Sequence, residues 1–76
     1  MKVELRHKIL SHLVREGASS PSRIAEEVGV TTQAVLNSLN RLQKRGWVER
    51  VDWGVYIATE EGKRVVEKMA LVKERR

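Results

Sequence analysis

The chain has 76 residues, no cysteine, 33% charged side chains and a formal net charge of +5. That length corresponds to one small domain, and the absence of cysteine excludes disulfides, thiolate nucleophiles and cysteine-ligated zinc. No stretch of about 18 apolar residues is present, so the sequence predicts no membrane-spanning helix. The positive charge is concentrated in residues 31–50, which carry +3, and in residues 63–76, which carry +4. A small basic domain favours a polyanionic partner, usually a nucleic acid.

The first predicted helix covers residues 2–16 and ends at Gly17. Its apolar side chains fall in two rows. The rows are Val3, Leu10 and Val14, and Leu5, Ile9 and Leu13. Two rows make a wider apolar face than a surface helix needs, so we expect one row to enter the core and the other to remain available to a partner.

A second, short helix is predicted over residues 21–28. Ser20 can cap its free amides, and Pro21 suits the first helical position. Gly29 ends this helix and begins a tight turn into the next one. The short turn is typical of a helix-turn-helix unit, which we assign to residues 21–46.

A third helix is predicted over residues 31–45, with Thr31 as its N-cap and Thr32 as the alternative. Its apolar residues recur at spacings of four and three, which places them on one face. They are Val35, Leu39 and Leu42. Gly46 ends the helix.

After Gly46 the pattern changes to strand formers, which predicts a β-hairpin over residues 47–58 with its turn at Asp52-Trp53-Gly54. Thr59 then caps a fourth helix over residues 59–74. The expected fold is therefore mainly α with a small β-hairpin (α+β), as a single domain over residues 1–76. Its order is helix, helix, helix, strand, strand, helix.

This order resembles the winged helix-turn-helix domain of transcription regulators of the MarR and ArsR kind. The matching segments are PSRIAEEVGVT at 21–31, VLNSLNRL at 35–42, KRGWVER at 44–50 and YIATEEG at 56–62. The resemblance covers nearly the whole chain and implies a protein that binds double-stranded DNA with its third helix in the major groove. Winged helices also serve as protein-protein modules, so the resemblance is more specific for the fold than for the partner.

The side of the third helix opposite its apolar face carries the candidate DNA contacts. Measured from Val35, the side chains of Gln33, Asn37, Asn40 and Lys44 point to about 160°, 200°, 140° and 180°. We call these four residues the polar stripe; it contains no acid. Asparagine and glutamine can pair with adenine through two hydrogen bonds, while arginine and lysine bind phosphates or guanine. The alternative is that any exposed helical face is polar and the stripe only faces solvent.

Because the N-terminal part of a recognition helix usually contacts base edges, we predict base contacts from three residues. These are Thr32, Gln33 and Asn37. Contacts to the DNA backbone are predicted from the start of the second helix, where free amides favour phosphates, from the third helix and from the hairpin. These residues are Ser22, Arg23, Asn40, Arg41, Lys44 and Arg50.

The hairpin departs from the strongly basic wing of many DNA-binding winged helices. It has an acid, Asp52, at its tip and Arg50 as its nearby cation. Trp53 could pack beside a sugar, close the core or meet a protein, whereas Trp47 is expected in the core.

We predict a homodimer through the first and fourth helices, with Leu5, Ile9 and Leu71 at the interface. A two-fold dimer would match a palindromic DNA site. The alternative is that the first helix lies at the centre of the core and Leu71 is a lone exposed leucine.

Nothing in the sequence indicates an enzyme, a metal site, a cofactor or a small-molecule effector. His7 and His12 lie on different faces of the first helix and lack further ligands, so both are expected at the surface. We expect a cytoplasmic protein that acts on DNA. Two other functions stay open: a protein-interaction module in a transcription or replication assembly, and a non-specific nucleic-acid binder.

Overall fold

The computed structural model describes the backbone of residues 5–74 and the side chains of residues 5–68. It contains four helices and a two-stranded antiparallel sheet in the predicted order. The elements are α1 (Leu5–Glu16), α2 (Pro21–Val28), α3 (Thr32–Lys44), β1 (Val48–Asp52), β2 (Val55–Ala58) and α4 (Glu60–Glu74). The predicted fold class is confirmed, and the part of the first helix predicted over residues 2–4 lies outside the described residues.

Local capping explains why α2 begins and ends where the sequence predicts. Ser20 has an extended backbone, and its Oγ accepts the N–H of Arg23 at 3.3 Å. Gly29 adopts φ +85°, and its N–H donates to the carbonyl of Ala25 at 2.8 Å. A left-handed residue of this kind favours glycine and ends a helix.

Helix α1 lies at the centre of the core. Ile9, Leu10 and Leu13 are at most 1% exposed, and Leu5 and Val14 are half-buried against the same cluster. The other elements bury their apolar residues around it. These residues are Ile24, Ala25, Val35, Leu39, Leu42, Val48, Tyr56 and Ala58.

The expectation that one apolar row of α1 remains free for a partner is therefore wrong, because α1 contacts α2, α3, α4 and β2 and so uses both rows. Ile9 is 0% exposed inside the chain's own core, and we remove it from the predicted dimer interface. Leu5 keeps part of its surface, and the side chain of Leu71 lies outside the described residues. The homodimer stays a prediction.

His12 also corrects an expectation, since it is buried rather than at the surface, with 2% of its area exposed. Its Nε2 lies 3.4 Å from the hydroxyl of Ser19, which itself donates to the carbonyl of Gly17. Among the described residues, His12 Nδ1 has no hydrogen-bond partner. His12 is thus part of the packing between α1 and the loop that follows it.

The hairpin is paired internally and, through β2, with the loop between α1 and α2. β1 pairs with β2 from Val48–Ala58 to Arg50–Tyr56, and an extra residue at Val51 makes a bulge before the Trp53-Gly54 turn. On its other side, β2 exchanges two backbone hydrogen bonds of 3.0 and 2.9 Å between Tyr56 and Ser19. The loop between α1 and α2 thereby acts as a short third strand.

A cluster of hydrogen bonds connects the end of α3 to the start of α4. The Thr59 hydroxyl donates to the carbonyl of Gly46 at 2.6 Å and accepts the N–H of Gly62 at 3.2 Å. The Thr59 N–H donates to the carbonyl of Trp47 at 2.9 Å. Trp47 is half-buried against the core.

Within residues 5–74, none of the helices is long and apolar enough to cross a membrane.

Replacing Gly62 by alanine tests this junction. Alanine usually stabilises a helix by up to about 1 kcal/mol relative to glycine, but a Cβ here would overlap the backbone carbonyl of Trp47. We expect Gly62→Ala to lower the free energy of unfolding by about 1–3 kcal/mol, measured by urea denaturation. The exposed neighbour Lys63→Ala is the control and should change it by less than about 0.5 kcal/mol. A Gly62→Ala protein as stable as the parent would contradict the contact.

Candidate nucleic-acid interface

The orientation of α3 is set by its apolar face. Val35, Leu39 and Leu42 are each at most 1% exposed. Because a helix that buries one face must turn the opposite face outward, the polar stripe faces solvent. All four of its residues, Gln33, Asn37, Asn40 and Lys44, are exposed.

The two threonines at the start of α3 are both exposed, but only one of them caps the helix. Thr31 has an extended backbone, with φ −79° and ψ 155°, and its Oγ1 accepts the N–H of Ala34 at 3.1 Å. Thr31 is therefore the N-cap. Thr32 is the first residue of the helix and is exposed, so the structure leaves it on the same helix end as Gln33.

Two of the predicted base-contacting side chains are joined to each other. Gln33 Nε2 donates to Asn37 Oδ1 at 3.3 Å, one helical turn apart. This bond leaves the Gln33 amide oxygen as an acceptor and the Asn37 amide nitrogen as a donor. Adenine presents the complementary pair in the major groove, a donor at N6 and an acceptor at N7.

The N-terminus of α2 provides a second polar surface. Ser22 and Arg23 are exposed in its first turn, which contains no acid. Ser20 is occupied with capping, since its hydroxyl accepts the Arg23 N–H and lies 3.4 Å from the Ser22 hydroxyl. The first-turn amides of a helix and an adjacent guanidinium both attract phosphate.

The hairpin tip presents an aromatic ring to solvent. Trp53 is 88% exposed, so the possibility that it closes the core is excluded. The Arg50 guanidinium lies 5.5 Å from the centroid of the Trp53 ring, within the range of a cation–π contact. The Trp53 N–H donates to Asp52 Oδ1 at 2.7 Å, which places that carboxylate within the turn itself.

Two cations outside the predicted set lie near α3. Arg45 is the C-cap of α3, and its guanidinium lies 5.2 Å from the Trp47 ring centroid. Arg6 of α1 lines a groove together with Arg41 of α3. Arg45 could have been identified from the sequence, because it follows Lys44 at the end of the predicted third helix. Arg6 could not, because only the packing of α1 on α3 brings it into one groove with Arg41.

No group of three histidine, aspartate or glutamate side chains capable of holding a metal ion occurs in the part of the chain that the structure describes. Along α3, from Thr32 to Lys44, there is no carboxylate at all. The exposed chemistry of this face is thus amide, hydroxyl and cationic.

Comparisons with known proteins agree with this fold. The family model described as the HVO_A0261 N-terminal domain matches residues 1–75. No curated protein gives a significant match.

Solved structures of transcription regulators share this architecture. The transcriptional regulator Tm0710 from Thermotoga maritima is 25% identical, over 96% of this chain and 55% of that one, with a TM-score of 0.85. A MarR family protein from Bacillus stearothermophilus is 19% identical, over 97% and 55%, with a TM-score of 0.87. The regulator PcaV from Streptomyces coelicolor is 24% identical, over 97% and 57%, with a TM-score of 0.84. The predicted resemblance to MarR-type winged helices is confirmed, and the chain spans just over half the length of these proteins.

The two threonines at the start of α3 allow a matched test of the capping geometry. We expect Thr31→Ala to lower the free energy of unfolding by about 1 kcal/mol, because the Ala34 N–H loses its acceptor. Thr32→Ala removes a hydroxyl with no capping role and should change it by less than about 0.5 kcal/mol. Chemical denaturation of both variants measures the difference, and equal effects would show that Thr31 is not the cap.

Proposed function

The chain belongs to the HVO_A0261 N-terminal domain family, and we propose that it forms one DNA-binding domain of a transcription regulator. The helix-turn-helix covers residues 21–46, the wing residues 47–58 and the last helix residues 59–74. The observation that carries the proposal is the polar stripe, which is exposed, free of acid and opposite the buried face of α3. The MarR-type neighbours support the same function.

Size and chemistry fit α3 to the major groove of double-stranded DNA. The groove is about 12 Å wide and admits one α-helix with its side chains. In this arrangement Thr32, Gln33 and Asn37 face base edges, with the Gln33–Asn37 pair suited to adenine. Asn40 and Lys44 follow toward the end of the helix, where they contact the DNA backbone.

The remaining contacts hold the phosphates on either side of that groove. Ser22 and Arg23 offer a hydroxyl, a guanidinium and the first-turn amides of α2. Arg41 lies on the flank of α3, and Arg50 extends from the wing, where its guanidinium lies 5.5 Å from the centroid of the Trp53 ring. Such contacts carry no sequence information but set the register of the protein on the duplex. The mechanism is binding alone, with no catalytic step.

A binding titration with matched variants tests sequence recognition. The protein is titrated by fluorescence anisotropy against a random duplex and against a duplex selected from a random pool. We expect tighter binding to the selected duplex at near-physiological salt. Gln33→Ala and Asn37→Ala should each weaken that binding by about 5- to 150-fold, because one well-paired side chain is worth about 1–3 kcal/mol.

The control for this titration is Gln43→Ala. Gln43 is exposed on the same helix but points about 80° away from the direction of Val35, off the polar stripe, so its loss should leave affinity unchanged. Equal binding to both duplexes that disappears with salt would reduce the function to non-specific binding. No binding even at low salt would contradict the proposal.

A second candidate function, protein interaction through the wing, is favoured by one observation. Trp53 and Val51 are 88% and 49% exposed at the hairpin tip, and tryptophan is enriched among the residues that dominate protein interfaces. Such a module would bind a protein partner with the tip and leave the polar stripe unused.

The Trp53→Ala variant separates the two functions. If the ring positions Arg50 on DNA, its loss should weaken binding to selected and random duplexes alike by about two- to fivefold, since an exposed cation–π contact is worth about 0.5–1 kcal/mol. Trp53→Phe keeps a ring and should lose less. An unchanged DNA affinity in Trp53→Ala, measured in the same anisotropy assay, would remove the wing tip from the DNA interface and favour a protein partner.

A further inference from the structure

A groove of about 410 Å³ runs between the start of α1 and the side of α3. Its lining comes from two elements that are far apart in the sequence. The lining residues are Leu5, Arg6, Ala34, Asn37, Ser38 and Arg41. The function described so far uses Asn37 and Arg41 singly and does not use the groove or Arg6.

The lining of the groove combines two arginines with polar and small apolar side chains. Leu5 and Arg6 are half-buried and Ser38 is buried, whereas Arg41 is exposed at the rim. The two arginines reach the groove from different helices, and none of the six lining residues is acidic. A guanidinium presents paired N–H donors that match the oxygens of a phosphate.

The position of the groove relates this chemistry to DNA. Asn37 belongs both to the polar stripe and to the groove lining, so the groove begins where the base-contacting face of α3 ends. Arg41 lies one turn further along the same flank. With α3 in the major groove as proposed above, the DNA strand that borders it would lie along this flank, next to α1.

We propose that the groove holds a phosphate of the DNA backbone between Arg6 and Arg41. This extends the DNA-contacting surface from the helix-turn-helix onto α1, and it rests on the proposed DNA-binding function. Arg6 is then a positioning contact that strengthens binding to every sequence, in contrast to Asn37, which distinguishes between sequences.

Salt dependence of binding tests the proposal. The affinities of the parent and Arg6→Ala are measured against the selected and the random duplex over a range of salt concentrations. Loss of one phosphate contact lowers the slope of log affinity against log salt by about 0.9. We expect that change in Arg6→Ala, with the same loss of about five- to tenfold on both duplexes at about 0.1 M salt.

Arg15→Ala is the matched control, because Arg15 lies at the other end of α1, exposed and 3.7 Å from Glu16. It removes the same charge and should leave the slope unchanged. Arg6→Lys keeps the charge and should retain most of the slope. Circular dichroism and thermal unfolding of each variant show whether it is folded, and Arg6→Gln replaces Arg6→Ala if alanine unfolds the chain.

The possible outcomes distinguish a failure of the phosphate proposal from a failure of the proposed DNA-binding function. A parent protein that binds no duplex overturns both. If the parent binds selectively, and folded Arg6→Ala and Arg6→Gln keep the parent's slope of log affinity against log salt, only the proposed phosphate contact of Arg6 is overturned. A loss of affinity for the selected duplex alone would indicate that Arg6 contacts a base, and it would also overturn the proposed phosphate contact. Inorganic phosphate and chloride are also compared, at equal ionic strength, as competitors of DNA binding. If phosphate competes more strongly than chloride with the parent but not with Arg6→Ala, the groove binds a free anion instead, which overturns the proposal.

Discussion

The packing of α3 on α1 is the constraint on which the remaining structure depends. Val35, Leu39 and Leu42 are buried against Ile9, Leu10 and Leu13 and their neighbours, and each such side chain contributes about 1.5–3 kcal/mol by leaving water. Among the side chains of residues 5–68, the buried apolar residues form one cluster, and no second cluster there replaces that contribution. The rotation of α3 about its axis is therefore fixed, and the polar stripe can face only solvent or a partner. The Thr31 cap and the Thr59 junction then fix where α3 begins and how the hairpin leaves its end.

The same constraint determines what α1 can do. Four elements pack around it, and the described residues of its two apolar rows are buried or half-buried there, together with His12. A helical wheel shows how wide an apolar face is, but it does not show how many elements surround it. This is why the sequence suggested a free row for a dimer, and why Ile9 is in the core. At the first turn of α1, Arg6 lines the groove shared with α3, where we propose that a phosphate of the DNA backbone binds.

Those features that depend on neighbouring residues were predictable from the sequence, and those that depend on packing were not. The ends of α2 and the start of α3 follow from Ser20, Gly29 and Thr31, because each of these caps bonds to a residue at most four positions away. The hairpin and its turn follow from the change to strand formers and the glycine after Trp53. The pairing of Ser19 with Tyr56, the burial of His12 and the groove shared by Arg6 and Arg41 join distant segments, and no local pattern encodes them. The stripe itself was predictable because its residues share one helix.

The measurement that tests the central claim most directly is an NMR titration of the ¹⁵N-labelled chain with the selected duplex. It reports every backbone amide and side-chain amide without any substitution. If α3 enters the major groove, the largest shift changes fall on Thr32, Gln33, Asn37 and the side-chain amides of the polar stripe, followed by the start of α2. Changes confined to the wing tip around Trp53, or spread evenly over all basic surfaces, would contradict the account.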